Sequence, residues 1–190
     1  MVLVLVVLTV AVTVGLLSGG RLDLLGATRL RNAPLVPAAL AAQVLGALVG
    51  GPFYAAGLVV SAACVTGFLA RNRGVRGTGL VALGLLANAL VVGANGAMPV
   101  SAHASGRAGV STQSVVAGTD PRHELADADT RLRWLSDVVP VRIPLRPEVV
   151  SVGDVLIAAG LAQLVVLGLR GRQPREPASV VEADRAAVAG

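Results

Sequence analysis

Residues 95–109, NGAMPVSAHASGRAG, and residues 130–154, TRLRWLSDVVPVRIPLRPEVVSVGD, bracket the one long polar stretch of this chain. Between Asn95 and Asp154 lie both histidines, the single tryptophan and seven of the eleven acidic residues. Outward from it the sequence is mostly apolar runs joined by short arginine-bearing turns. Whether this stretch is a loop between membrane spans or the surface of a soluble domain decides the fold.

Composition favours the loop. At 190 residues the chain is one domain by length. It is 54% hydrophobic and only 14% charged, with a mean hydropathy of +0.75, whereas soluble domains are about 25% charged. The net charge is +5. The arginines flank apolar runs, as cytoplasmic loops of membrane proteins do, and aromatic side chains for base stacking make up only 2%. Nucleic acid is therefore not expected as a partner. Cys64 is the only cysteine, so no intrachain disulfide can form.

The expected fold is an all-α integral membrane protein with about five transmembrane helices, at residues 2–17, 34–50, 53–70, 78–93 and 152–169. The first run lacks a basic start and a small-residue cleavage site, so it reads as an uncleaved span. Arg21, Arg29 and Arg31, then Arg71, Arg73 and Arg76, then Arg170, Arg172 and Arg175 form three basic segments. Placing all three inside puts the N-terminus outside, the C-terminus in the cytoplasm and the loop 95–151 on the outer face. Residues 1–170 form one membrane domain, and 171–190 read as a disordered cytoplasmic tail. In the second run Ala38, Ala42, Gly46 and Gly50 recur every fourth residue, a ridge that suits either packing within the chain or a homo-oligomer face.

Polar groups near the spans are the first functional candidates. Gln43 lies within the second run, and Asn88 and Asn95 share one face of the fourth helix if that helix continues. Each amide is either interhelical glue or a ligand contact. Ser151 and Asp154 have the spacing of a capping box, while an acid at a span boundary also suits a proton relay or an ion contact. In the loop, Met98-Pro99-Val100 should be extended, and Ser101 should cap a short helix. A helical turn or two is expected from Asp129 or Thr130, with Leu132, Leu135 and Val138 on one face and Trp134 at the membrane interface. Pro140, Pro144 and Pro147 should end it, leaving Val141, Ile143 and Leu145 alternating with Arg142 and Arg146 in an extended segment.

Asn95-Gly96, Met98-Pro99-Val100-Ser101, Thr130-Arg131-Leu132, Leu135-Ser136-Asp137 and Ser151-Val152-Gly153-Asp154 together resemble a family of small bacterial multi-pass membrane proteins catalogued as a domain of unknown function. The resemblance covers about residues 1–170. It implies a four-to-five-span membrane protein, and no activity, substrate or cofactor; the expected location is the bacterial inner membrane.

Enzyme motifs are sparse. His103 and His123 are isolated and lack the spacing of a zinc motif, a site made from both with Asp127 being a minor alternative, and neither a nucleophile elbow nor a phosphate loop is present. No metal or cofactor is expected, and an enzyme is the less favoured class. The first expectation is a structural or interaction protein whose outer cap binds an envelope partner or membrane lipid. The alternatives are a small-solute or ion pathway lined by Gln43, Asn88, Asn95 and Asp154, and a membrane-embedded enzyme on a lipid-borne substrate. The enzyme reading would use His123, Asp137 and Asp154, with Arg131, Arg133, Arg142 and Arg146 gripping phosphate. The binding candidates carried forward are Asn88, Asn95, Met98, Pro99, Ser101, Arg131, Asp137, Ser151 and Asp154.

Overall fold

A computed structural model of the chain describes residues 2–28, 30–49, 52–117, 122–144 and 146–174. Gly50, Gly51 and the tail from residue 175 lie outside these described residues, and so does the side chain of Gln43. Five long helices occupy the five apolar runs: α1 (Val2–Leu17), α3 (Leu35–Val49), α4 (Pro52–Arg71), α5 (Thr78–Asn95) and α8 (Val152–Leu169). A short α2 (Leu22–Gly26) follows α1, while α6 (Ala102–Ala108) and α7 (Gln113–Val116) lie in the polar stretch.

The all-α expectation is corrected by a small mixed sheet in that stretch. β1 (Met98–Val100), β2 (His123–Leu125), β3 (Asp137–Val141) and β4 (Glu148–Ser151) stand in the order β2-β1-β3-β4. β1 runs parallel to β2 and β3, and β3 pairs antiparallel with β4. Met98 N–H and Val100 C=O bond toward β2, so Pro99 turns its nitrogen toward β3. There β3 begins only opposite Val100, and the missing donor leaves no gap in the ladder. The molecule is thus mostly helical with a four-stranded cap, and two of its helices, α5 and α8, are long and apolar enough to cross a membrane.

The helical turn expected from Asp129 or Thr130 shrinks to one 3-10 turn at Arg133–Leu135. Leu132 sits in the left-handed region at φ 52°, which ends any helix through it. Val138, Val139 and Val141 are β-branched and fall into the β3–β4 hairpin. The proline-rich segment after Val141 makes the connection of that hairpin, where Arg146 N–H bonds to Ile143 C=O. Leu145 lies outside the described residues. Ser101 caps α6 by accepting from the Ala104 N–H.

Small residues let the helices meet. A Cβ at Gly160 would stand 2.6 Å from the Gly77 carbonyl, and one at Gly153 the same distance from the Gly84 carbonyl, so α5 and α8 touch backbone to backbone. They run antiparallel. On the other side of α8, Leu169 is fully buried against Gly15 of α1. The ridge of α3 is used within the chain at Ala42 and Gly46, which pack against Gly57 of α4.

One end of the bundle carries the cap and the other gathers the basic turns. At that second end Asn72 donates to Arg31 C=O and accepts from Arg31 N–H, both at 2.8 Å. Gln173 does the same for Arg76, at 2.8 and 2.9 Å. Gln173, assigned to the tail from sequence, is buried in this base.

Candidate functional site

The residues that sequence singled out converge where the cap meets α5 and α8. Ser151 ends β4 and caps α8: its hydroxyl accepts from the Asp154 N–H at 2.9 Å, and the Asp154 carboxylate accepts from the Ser151 N–H at 3.4 Å. Asn88, about three turns into the antiparallel partner helix α5, completes the set. Its amide donates to Asp154 Oδ1 at 2.9 Å and its carbonyl accepts from the Ser151 hydroxyl at 2.8 Å. Gly153 makes this approach possible, because a Cβ there would collide with the Asn88 side chain. All three polar side chains satisfy one another, as groups removed from water must.

Asn95 does not join that set. It lies at the end of α5 and holds the loop backbone, donating to Arg131 C=O at 3.0 Å and accepting from Arg131 N–H at 2.8 Å. The conspicuous arginine is used through its peptide group, and its side chain is exposed. Met98 and Pro99 build β1, and Ser101 donates its backbone N–H to Asp137 C=O at 3.0 Å. These three are supports for the strand that carries Asp137.

Asp137 is the least ordinary titratable group. Only 5% of it is exposed, and its carboxyl lies 3.7 Å from His123 Nε2. Burial, reinforced by the nearby Asp154 charge, raises its pKa from 3.8 to about 7. It can therefore take or release a proton near neutrality. His103 is exposed in α6, and no group of three metal-ligating side chains occurs among the described residues. The Ser136 hydroxyl donates to Arg133 C=O and that of Ser151 to Asn88, so neither is held as a nucleophile.

Sequence reasoning missed three structural polar groups. Glu148 of β4 accepts from the N–H groups of Val2 at 2.9 Å and Leu3 at 3.2 Å, tying the cap to α1. Burial alone would raise its pKa, but hydrogen bonding to the carboxylate, to which these two bonds contribute, outweighs burial and holds the carboxyl below its ordinary value. Asn72 and Gln173 sit among arginines whose charge dominated the reading of those turns. The only available signal was an uncharged amide in an otherwise basic turn.

Fold and junction together define a class: a mostly helical protein with two helices fit to cross a membrane, capped by a small mixed sheet locked to the bundle by polar contacts. More specifically, the chain belongs to the DUF5317 family, a family of unknown function, whose model matches residues 27–166. No curated protein and no solved structure matches it.

Proposed function

We propose that the protein is a five-span integral membrane protein of the bacterial inner membrane, with its cap outside, its arginine-rich base in the cytoplasm, and the cap serving as a rigid platform for an envelope protein partner. The observation that carries this reading is the way the cap is fastened. Glu148 ties it to α1, Asn88 and Asn95 to α5, and Ser151 with Asp154 to α8. A loop held on three helices suits presentation of a fixed surface, on which Leu132 and Trp134 are exposed.

The membrane part is supported by two features. Leu5, Val10, Leu40, Leu48, Val59, Leu83 and Leu90 are among many large apolar side chains facing outward along the helices, a surface that water would not tolerate. Only 22% of α5 and 28% of α8 is buried, unlike the core helices of soluble proteins. The described base residues Arg21, Arg31, Arg71, Arg73, Arg76, Arg170 and Arg172 gather at one end with Asp23, matching the positive-inside rule. α1, α3 and α4 join α5 and α8 as spans in this reading. A polar pathway is less favoured because Asn88, Asn95 and Asp154 are occupied with structural partners.

Impermeant maleimide labelling tests the topology. With Cys64 replaced by Ala, a cysteine at Ser111 should label in intact cells and one at Ser179 should not. Photo-crosslinking from positions 132, 134 and 116 should then capture the same protein from each site, and exchange of residues 97–150 should lose it. Labelling at Ser179 alone would reverse the orientation, and three unrelated captures would remove the platform reading.

A further inference from the structure

A second feature lies far from the cap. α4 and α5 are joined by a short turn that is fixed on both sides, by Asn72 to Arg31 and by Arg76 to Gln173. Within it, the Thr78 hydroxyl donates to the carbonyls of Val75 and Asn72, at 2.7 and 3.0 Å. The two helices leave this turn without closing on each other, and a cleft of about 630 Å³ opens between them. On α5 it extends from Thr78 to Ala89, a length of about 16 Å at the rise of an α-helix. Its walls are mostly apolar, with the hydroxyl residues Ser61, Thr66 and Thr78 among them, and the charged residue of the lining, Arg73, stands at the base end. Among the described residues no carboxylate pairs with Arg73, and the base acid Asp23 is engaged by Arg21 at 3.0 Å.

We propose that this cleft is a binding site for one anionic phospholipid, with its acyl chain against Val65, Leu69, Ala82 and Leu86 and its phosphate at Arg73. The shape calls for an amphiphile: a long apolar body with charge at one end only. The sign calls for an anion, which a guanidinium binds through charge-assisted hydrogen bonds. A helix from a second copy in the same orientation would bring its own arginine-rich base against Arg73, so like charges oppose that occupant. The turn is already locked, so the site exists before the lipid arrives and little ordering is required on binding. This inference rests on the membrane placement proposed above.

Native mass spectrometry of the full chain, purified in neutral detergent and stripped of lipid, tests it with phosphatidylglycerol and phosphatidylcholine as probes. The wild type should retain phosphatidylglycerol about tenfold better. Arg73→Gln should bring that preference close to one, and Ala82→Phe should reduce retention of both lipids. Leu83→Phe, on the outward side of α5, should change neither, and each variant is first checked for wild-type melting. Equal retention of the two lipids by the wild type, or a preference that survives Arg73→Gln, would overturn the proposal. So would dimers that Ala82→Phe dissolves, since they would assign the cleft to a second copy. Carbonate extraction of the expressing cells separates the two readings: a chain released into the soluble fraction would remove the membrane placement itself.

Discussion

Asn88 and Asp154, 66 residues apart, share a hydrogen bond of 2.9 Å that joins α5 to the first turn of α8. Because the Ser151 hydroxyl donates to the same amide, one side chain fastens a helix, its cap and the strand leading into it. Asn88→Ala should cost about 1–3 kcal/mol, the range for leaving buried polar partners unsatisfied. A double-mutant cycle with Asp154→Ala, read by thermal melting, should give a coupling of about 0.5–3 kcal/mol. Additive losses would mean that the two residues act separately.

Gly153→Ala tests the same junction from the backbone. The added methyl would meet both the Gly84 carbonyl and the Asn88 side chain, so α5 and α8 must move apart. A loss of about 1–3 kcal/mol or more is expected. Gly93→Ala is the control, since nothing lies within 4 Å of a Cβ there, and it should melt no lower than wild type.

Asp137 gives the protein a pH dependence with a defined sign. Its folded pKa of about 7 lies above the ordinary 3.8, so the native state holds the proton more tightly than the unfolded chain. The associated stability is full below about pH 4 and is lost as pH rises through 7. Asp137→Asn should remove that decline, gaining on the wild type by about 1.4 kcal/mol for each pH unit over which only the wild type titrates. Melting curves between pH 5 and 8 check this, and parallel curves would contradict it.

Glu148 has the opposite sign. Its pKa is held below normal, so its contribution is present above the unfolded value and disappears as pH falls through the folded one. Glu148→Gln should speed amide hydrogen exchange at Val2 and Leu3, whose N–H groups it accepts, while leaving exchange in α5 unchanged.

Asn72 anchors the base with three side-chain hydrogen bonds donated or accepted at 2.7 to 2.8 Å. Asn72→Ala should cost about 1–3 kcal/mol, and Asn72→Asp should not restore the loss, because a carboxylate cannot donate to the Arg31 and Phe68 carbonyls. Thermal melting of both variants distinguishes this from a simple packing effect.

Helix positions were legible because apolar runs and their arginine boundaries are local signals. The run 34–50 becomes α3 at Leu35–Val49, and Ser151 with Asp154 forms the expected capping box. The sheet was not legible. β1 and β2 are three residues each with 22 residues between them, so their pairing is fixed by tertiary context and not by a period in either strand. The polar junction was half legible for the same reason. Each of Asn88, Ser151 and Asp154 stood out alone, but their meeting depends on Gly84 and Gly153 allowing α5 and α8 to touch. Nothing local marks Asp137 as buried, since its burial follows from a strand the sequence did not announce.

The position of α8 between α1 and α5 has a consequence for synthesis. Among the described residues, α8 is made after both of the long helices that pack on it, α1 and α5. Until residue 151 has emerged Asn88 has neither of its partners, and until residue 154 it lacks the second, whereas α3 and α4 can pair with each other as soon as they are made. A nascent chain released before Ser151 is therefore expected to present an unpaired amide to quality-control proteases. Chains truncated after residue 145 should be cleared faster than chains truncated after residue 174, making completion of α8 the checkpoint of assembly.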